Sequence, residues 1–326
     1  MADVSLIVGT ILEDWASDIA DNVTDRNDYY RAYKDADKRD EKGGMKRYRV
    51  VEGGRQFNDT IFTNVNSTFG GYDDRETIRT DVGNPIKEAQ YTQRIVAGSI
   101  NISTLEDAQN MPKYQIHDLA VVKREEAEFS MTEIMGASAL SDGTTDTKIP
   151  HGLQLIISAT NNTVGTIDGV ANAFWRPQRD TSGVTAWNTS NEGLIALDAL
   201  YQNCTRGPEK PDLIVTTPAI VSLINIMNIL RLTINVDMKS SQGELGYDEA
   251  RYRKARVIAD DNVPAQSLYL VNSKHLPFKV LKKGEFKMTK MKEPVNGLYQ
   301  VAQLYVFCNF TCSTRRLQGL MTAIAG

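Results

Sequence analysis

Cysteine is scarce in this 326-residue chain, which has three: Cys204, Cys308 and Cys312. The count is odd and two of them stand four apart in a strand-like run, which excludes the paired framework of a small secreted domain and fits a reducing compartment. Histidine is equally rare. His117, His151 and His275 lie far apart, so neither a histidine metal centre nor a nucleophile relay is expected. No apolar run approaches the roughly 18 residues of a membrane helix. Residues 4–12 are mildly apolar, but no basic residue precedes them and Glu13 and Asp14 follow, so a signal peptide is not expected either. An excess of one charge is also missing. Thirty-seven Lys and Arg against 41 Asp and Glu leave −4, too balanced for a chain whose main task is to grip many phosphates, so any basic surface is local.

The signatures of catalysis are absent as well. There is no G-x-x-x-x-G-K-[ST], no G-x-G-x-x-G after a strand, no H-E-x-x-H and no G-x-S-x-G. Cys308 and Cys312 would share a strand face, but four residues of extended chain separate them by roughly 13 Å, so two buried, apolar-like thiols are expected instead of a shared metal. Asp260-Asp261 beside Pro264 is read as a turn former. A carboxylate hydrolase built on Asp260 is the alternative from a different class. The basic run 251–256 is read as a solvated edge or a protein contact.

What is present is enough for a core: 41% hydrophobic and 24% charged residues, in a chain longer than one average domain. Residues 1–28 hold seven acids, among them Glu13, Asp14, Asp18 and Asp21, against Arg26 alone. Leu12, Trp15, Ile19 and Val23 recur there at three- and four-residue steps, the pattern of an amphipathic helix that needs a partner surface. Residues 55–93 are polar and Thr-rich, with extended segments at 61–65 and 90–102 around a polar centre. This reads as a long two-stranded excursion, too poor in aliphatics to fold alone, with edges that invite another chain. Asp73, Asp74, Arg75, Glu76, Arg79 and Asp81 at its tip carry both signs of charge for such contacts. Ser103-Thr-Leu-Glu106 is a capping box. A long helix is predicted from 112 to 140, with Ile116, Leu119, Val122, Met131, Ile134 and Met135 as its apolar stripe.

From residue 150 the texture alternates. Strands are predicted at 153–158, 213–216, 256–258, 267–271 and 279–281, and helices at 192–204 and 218–229. Between 298 and 313 the even-numbered Leu304, Val306, Cys308, Phe310 and Cys312 form one face, and a last strand covers 319–324. Residues 274–292 hold seven Lys and one Glu. Their alternation with Phe278 and Val280 predicts a ribbon with one charged face, carrying Lys279, Lys282, Lys283, Lys287, Lys290 and Lys292.

The order of these pieces resembles that of the HK97-fold major capsid proteins of tailed bacteriophages. Three stretches carry the likeness: Thr163-Val-Gly-Thr-Ile-Asp-Gly169 leading to Phe174-Trp-Arg176, Pro211-Asp-Leu-Ile-Val-Thr-Thr217, and Asn309-Phe-Thr-Cys-Ser-Thr-Arg-Arg-Leu-Gln-Gly319. The resemblance implies an α+β fold with an N-arm (1–48), an E-loop with flanking strands (49–102) and a peripheral domain with a spine helix (103–150). An axial domain (151–285), peripheral strands (286–316) and a C-terminal strand returning to the axial domain (317–326) complete it. It implies a shell subunit forming pentamers and hexamers around packaged DNA, without cofactor or membrane, in a virion assembled in the host cytoplasm. In such a subunit the lysine ribbon would face a neighbouring subunit or the interior. A separate scaffolding protein, a portal and a decoration protein are the implied partners. The Lys–Asn cross-link of some members finds no matching triad here and is not expected. An encapsulin shell is the alternative within the same fold.

Overall fold

The computed structural model describes residues 27–34, 47–63, 68–78, 80, 84–109, 119–144, 146–183, 187, 192–232, 251–253 and 255–325. The helices are α1 (Asp28–Lys34), α2 (Thr104–Gln109), α3 (Leu119–Leu140), α4 (Leu153–Ile156), α5 (Glu192–Cys204) and α6 (Pro218–Leu232). The early strands are β1 (Tyr48–Val51), β2 (Gln56–Phe62), β3 (Ile86–Thr92), β4 (Arg94–Ser103), β5 (Thr163–Val164), β6 (Ile167–Asp168) and β7 (Gln178–Asp180). The later ones are β8 (Leu213–Thr216), β9 (Arg251–Tyr252), β10 (Ala255–Ala259), β11 (Leu268–Val271), β12 (Phe278–Leu281), β13 (Lys287–Met288), β14 (Tyr299–Phe310) and β15 (Gly319–Met321).

Two main sheets result. The first runs β1-β12-β14-β13, with β4 also paired to β14 over ten residues. Alternation fixes its sidedness: Ala302, Leu304, Val306, Cys308 and Phe310 of β14 are buried, and beneath them lie Met131, Met135, Ala139 and Leu140 of α3. The second sheet runs β7-β15-β11-β8-β10-β9. Every residue of β8 and β11 is buried, because both faces of these central strands are covered and only continuous apolar runs suit such a position. α5 and α6 pack on this sheet around Trp187, Leu197, Ile214, Ile220 and Leu270.

The seven-residue α1 is too short to persist alone, and three buried tyrosines anchor it. Tyr33 meets Phe310 edge-on at 5.6 Å, Tyr29 stacks on Phe310 at 6.5 Å, and Tyr30 meets Phe278 at 6.0 Å. Its approach to α3 depends on Gly136, where a Cβ would stand 2.0 Å from the Asn27 side chain. The Tyr29 amide donates to Asp260 Oδ2 at 3.3 Å, tying α1 to the end of β10.

Several expectations need correction. Residues 153–156 form a helical turn, with Ile157 N–H donating to the Leu153 carbonyl at 2.8 Å; so short an apolar run carries no periodicity to separate helix from strand. Ile134 is not on the buried stripe of α3. It is 48% exposed, since Met131, Met135 and Ala139 at four-residue steps define the covered line and Ile134 falls beside it. Residues 110–118, with Ile116 and His117, and the side chain of Leu119 lie outside the described residues. The extended 90–102 segment breaks at Gln93 into β3 and β4, which join different sheets. The chain also enters the first sheet at β12, parallel to β1 and antiparallel to β14, ahead of the expected boundary after residue 285. The capping box is formed: Ser103 Oγ accepts from Leu105 N–H and Glu106 accepts from Ser103 N–H, both at 3.3 Å.

Candidate functional site

The two-stranded ribbon β2–β3 pairs Gln56 with Thr92 through to Phe62 with Ile86. Although its composition is too poor in aliphatics to fold alone, its root is anchored in the body of its own chain. Phe57 and Ile61 on β2, and Ala89 and Tyr91 on β3, are buried in the main core. Asp59 lies between the two apolar β2 residues on the same face, and Lys279 of β12 reaches it at 2.7 Å, with only 7% and 11% of the two side chains exposed. A charge in that position is tolerable because its partner is buried with it. The Tyr91 hydroxyl donates to the Cys312 carbonyl at 2.8 Å and accepts from the Cys312 amide at 3.1 Å. Asn309 Nδ2 donates to the Thr92 carbonyl at 2.7 Å, while its Oδ1 accepts from His151 N–H at 2.8 Å.

A small hairpin supports the root from the other side. β5 and β6 are joined by Gly165 and Thr166, both with positive φ (60° and 66°), the geometry of a tight two-residue turn. The Gly165 carbonyl accepts from Gln90 N–H at 2.9 Å, and a Cβ at 165 would stand 2.9 Å from the Tyr91 ring. The buried Trp175 indole donates to the Val164 carbonyl at 2.9 Å and braces the hairpin.

Beyond the root the ribbon is bare. Phe62, Phe69 and Ile78 are 77%, 84% and 64% exposed. Asp73, Asp74, Arg75 and Glu76 stand together at the tip, all exposed, in a turn closed by Glu76 N–H to the Asp73 carbonyl at 3.0 Å. Arg79 and Asp81 lie outside the described residues, as do Glu13, Asp14, Asp18 and Asp21 of the acidic segment.

The lysines do not form one charged face. Lys279 is buried against Asp59, and Lys282 pairs with Glu52 at 3.1 Å. Lys283, Lys287, Lys290 and Lys292 are exposed, spread over a turn, the edge strand β13 and the segment after it. Period-two reasoning missed this because residues 274–292 hold two helical turns and the two short strands β12 and β13, not one continuous strand. In the basic run, Arg253 pairs with Asp198 at 2.6 Å and lies 5.6 Å over the Tyr201 ring.

Among the described residues, the carboxylate and the thiols singled out by sequence serve packing and anchoring. Asp260 is buried, accepting from Asn262 N–H at 3.0 Å and from Tyr29 N–H, which makes it a turn former and an anchor for α1. Burial pushes the thiols of Cys204, Cys308 and Cys312 up to about 12, so they stay protonated and unreactive. Burial, reinforced by Arg94, lowers the His151 imidazole to about 4. It is therefore neutral at pH 7 and opposes folding as the pH falls from about 6.5, where the unfolded chain takes up a proton and the folded one does not. Among the described residues no cluster of His, Cys, Asp and Glu could hold a metal ion, and no helix is long and apolar enough to cross a membrane.

No protein-family model and no curated protein matches the sequence. Solved structures do. The capsid subunit of cyanophage A-1(L) superposes with a TM-score of 0.64 at 15% identity, covering 85% of this chain and 91% of that one. The capsid of a native GTA particle gives 0.58 at 12%, over 86% and 88%. The chain has the HK97-like capsid fold. The holo-SrpI encapsulin of Synechococcus elongatus PCC 7942 shares it at a TM-score of 0.54 and 11% identity, over 85% of both chains. Within this HK97-like fold, the ribbon with its buried root and bare tip is the feature least explained by the chain's own packing.

Proposed function

We propose that this chain is the major capsid protein of a tailed bacteriophage, assembling as pentamers and hexamers into an icosahedral shell around double-stranded DNA. The observation that carries the reading is the ribbon: a long projection fixed rigidly at its root, whose tip presents Phe62, Phe69, Ile78 and a mixed-charge turn to solvent. Exposed apolar side chains on a two-stranded projection are a liability on a monomer and mark a contact made by another chain. On this reading the tip, including Asp73, Asp74, Arg75, Glu76, Arg79 and Asp81, lies across a neighbouring subunit. The second sheet with α5 and α6 is the axial domain, and the first sheet with α3 is the peripheral domain. A separate scaffolding protein, a portal and a decoration protein are its partners, and the virion capsid, assembled in the host cytoplasm, is its location.

The encapsulin reading rests on the same fold and differs in content, enzyme cargo in place of DNA. The content of the purified particle decides between them: duplex DNA supports the capsid reading, and an enclosed enzyme the encapsulin. The hydrolase reading loses its motivation, because the carboxylate of Asp260 is engaged by two backbone amides.

Deletion of residues 70–82 tests the role of the tip. The root contacts lie outside the deletion, so the variant is expected to stay folded, with an unchanged circular dichroism spectrum, and to sediment as small species. Shells of normal size from this variant would refute the assignment.

A further inference from the structure

The first sheet has a second face, opposite α3, that the fold leaves half open. Facing partners in an antiparallel ladder project to the same side, so the register defines rows across this face: Ile95 with Phe307, Ala97 with Tyr305 and Lys287, and Asn101 with Val301 and Lys292. At the far end of β14, Asn309 and Thr311 on this side are buried where the ribbon root sits. Nearer the start of β14 it is covered only in part: Gly284 lies against the Phe307 ring, where a Cβ would stand 2.2 Å away, while Ala97, Ser99 and Gln303 are exposed. Ile95 is 62% exposed, and Tyr305 and Phe307 remain half-buried with rings 5.2 Å apart. The patch thus has an apolar, aromatic centre with two exposed lysines on one side, Lys287 in the row of Tyr305 and Lys292 in the row of Val301.

We infer that this open half-face is the docking site for the acidic segment 1–26 of the same chain, from its own or a neighbouring copy. Two independent features of that segment match the patch. Its six acids against one arginine give −5 opposite the lysines. Its sequence also sets Leu12, Trp15, Ile19 and Val23 on one side of a helical pattern and Asp14, Asp18, Asp21 and Asp25 on another, an amphipathic stripe that needs an apolar surface. Reach is sufficient. The segment ends at Asn27, beside α3 on the opposite side of the sheet, and 26 residues span up to roughly 85 Å when extended. Apolar contact supplies affinity, and the lysines set orientation, since each exposed ion pair contributes little by itself. The inference stands whether or not the chain forms a shell.

The test uses the full-length chain with a photo-activated benzophenone residue at Trp15 or Ile19 and maps the products by mass spectrometry. Cross-links to 95–101, 287–292 or 299–307 are expected. The double reversal K287E/K292E should lower their yield about tenfold at low salt, an effect several weak pairs can produce together. Adding D14K/D18K should restore it. Three results overturn the inference: cross-links confined to other surfaces, a yield indifferent to charge reversal, or lysine reversal that leaves the cross-link intact while abolishing retention of a duplex DNA fragment. The last would assign the lysines to nucleic acid. Electron microscopy of the same samples reports shell formation separately, so intact shells without the cross-link would sink this inference alone.

Discussion

Met135→Asp is expected to give no soluble protein, while its neighbour Ile134→Asp is expected to stay soluble with a near-native melting temperature. Met135 is fully buried in the core beneath β14. Losing a buried Met forfeits about 1.5 to 3 kcal/mol, and an unpaired carboxylate in the same place adds several more. Together these approach the total stability of an ordinary domain, roughly 5 to 15 kcal/mol. Ile134 lines a groove of about 300 Å³ between α3 and β4 and keeps half its surface in water. A carboxylate there stays hydrated, and the cost of such a surface change is about 0.5 kcal/mol. The soluble fraction on expression and the thermal melt decide the matter. Equal behaviour of the two variants would mean that α3 is rotated from the orientation described.

The second large effect concerns the pair beneath the ribbon. Lys279→Met leaves Asp59 buried without its partner, and removing one member of a buried pair costs about 3 to 5 kcal/mol. At a few degrees per kcal/mol, the melting temperature should fall by roughly 10 °C. The double variant Lys279→Met with Asp59→Leu should recover most of that loss, because no charge is then left unpaired. A fall of less than about 2 °C in the single variant would show that water reaches Asp59 and that the root is not sealed.

Much of the fold was legible in the sequence wherever a period ran long enough. β14 alternates from Ala302 to Cys308 and its buried face came out as read; so did α5, α6 and the unbroken apolar strands β8 and β11. Short elements were not legible. The run at 153–156 is ambiguous between helix and strand, and the turn-strand-turn-strand succession at 273–288 imitates one alternating ribbon. The root of β2–β3 could have been found: Phe57, Asp59 and Ile61 share a strand face with Ala89 and Tyr91, an apolar face with one acid in its middle. What obscured it was Asp59, which reads as solvent-facing until Lys279, 220 residues away, is placed beside it. Long-range pairing of this kind has no local signal. The exposed tip, by contrast, followed from composition alone, since a polar, Thr-rich excursion has nothing with which to cover itself.

The central claim is that the bare tip of the ribbon exists to be covered by another copy of the chain. Cryo-electron microscopy of the purified full-length protein tests it most directly. The expected result is closed shells built of five- and six-fold clusters, in which density for residues 68–80 lies on the adjacent subunit and Phe69 and Ile78 are buried. Small discrete particles, or shells in which that tip remains free in solvent, would contradict it.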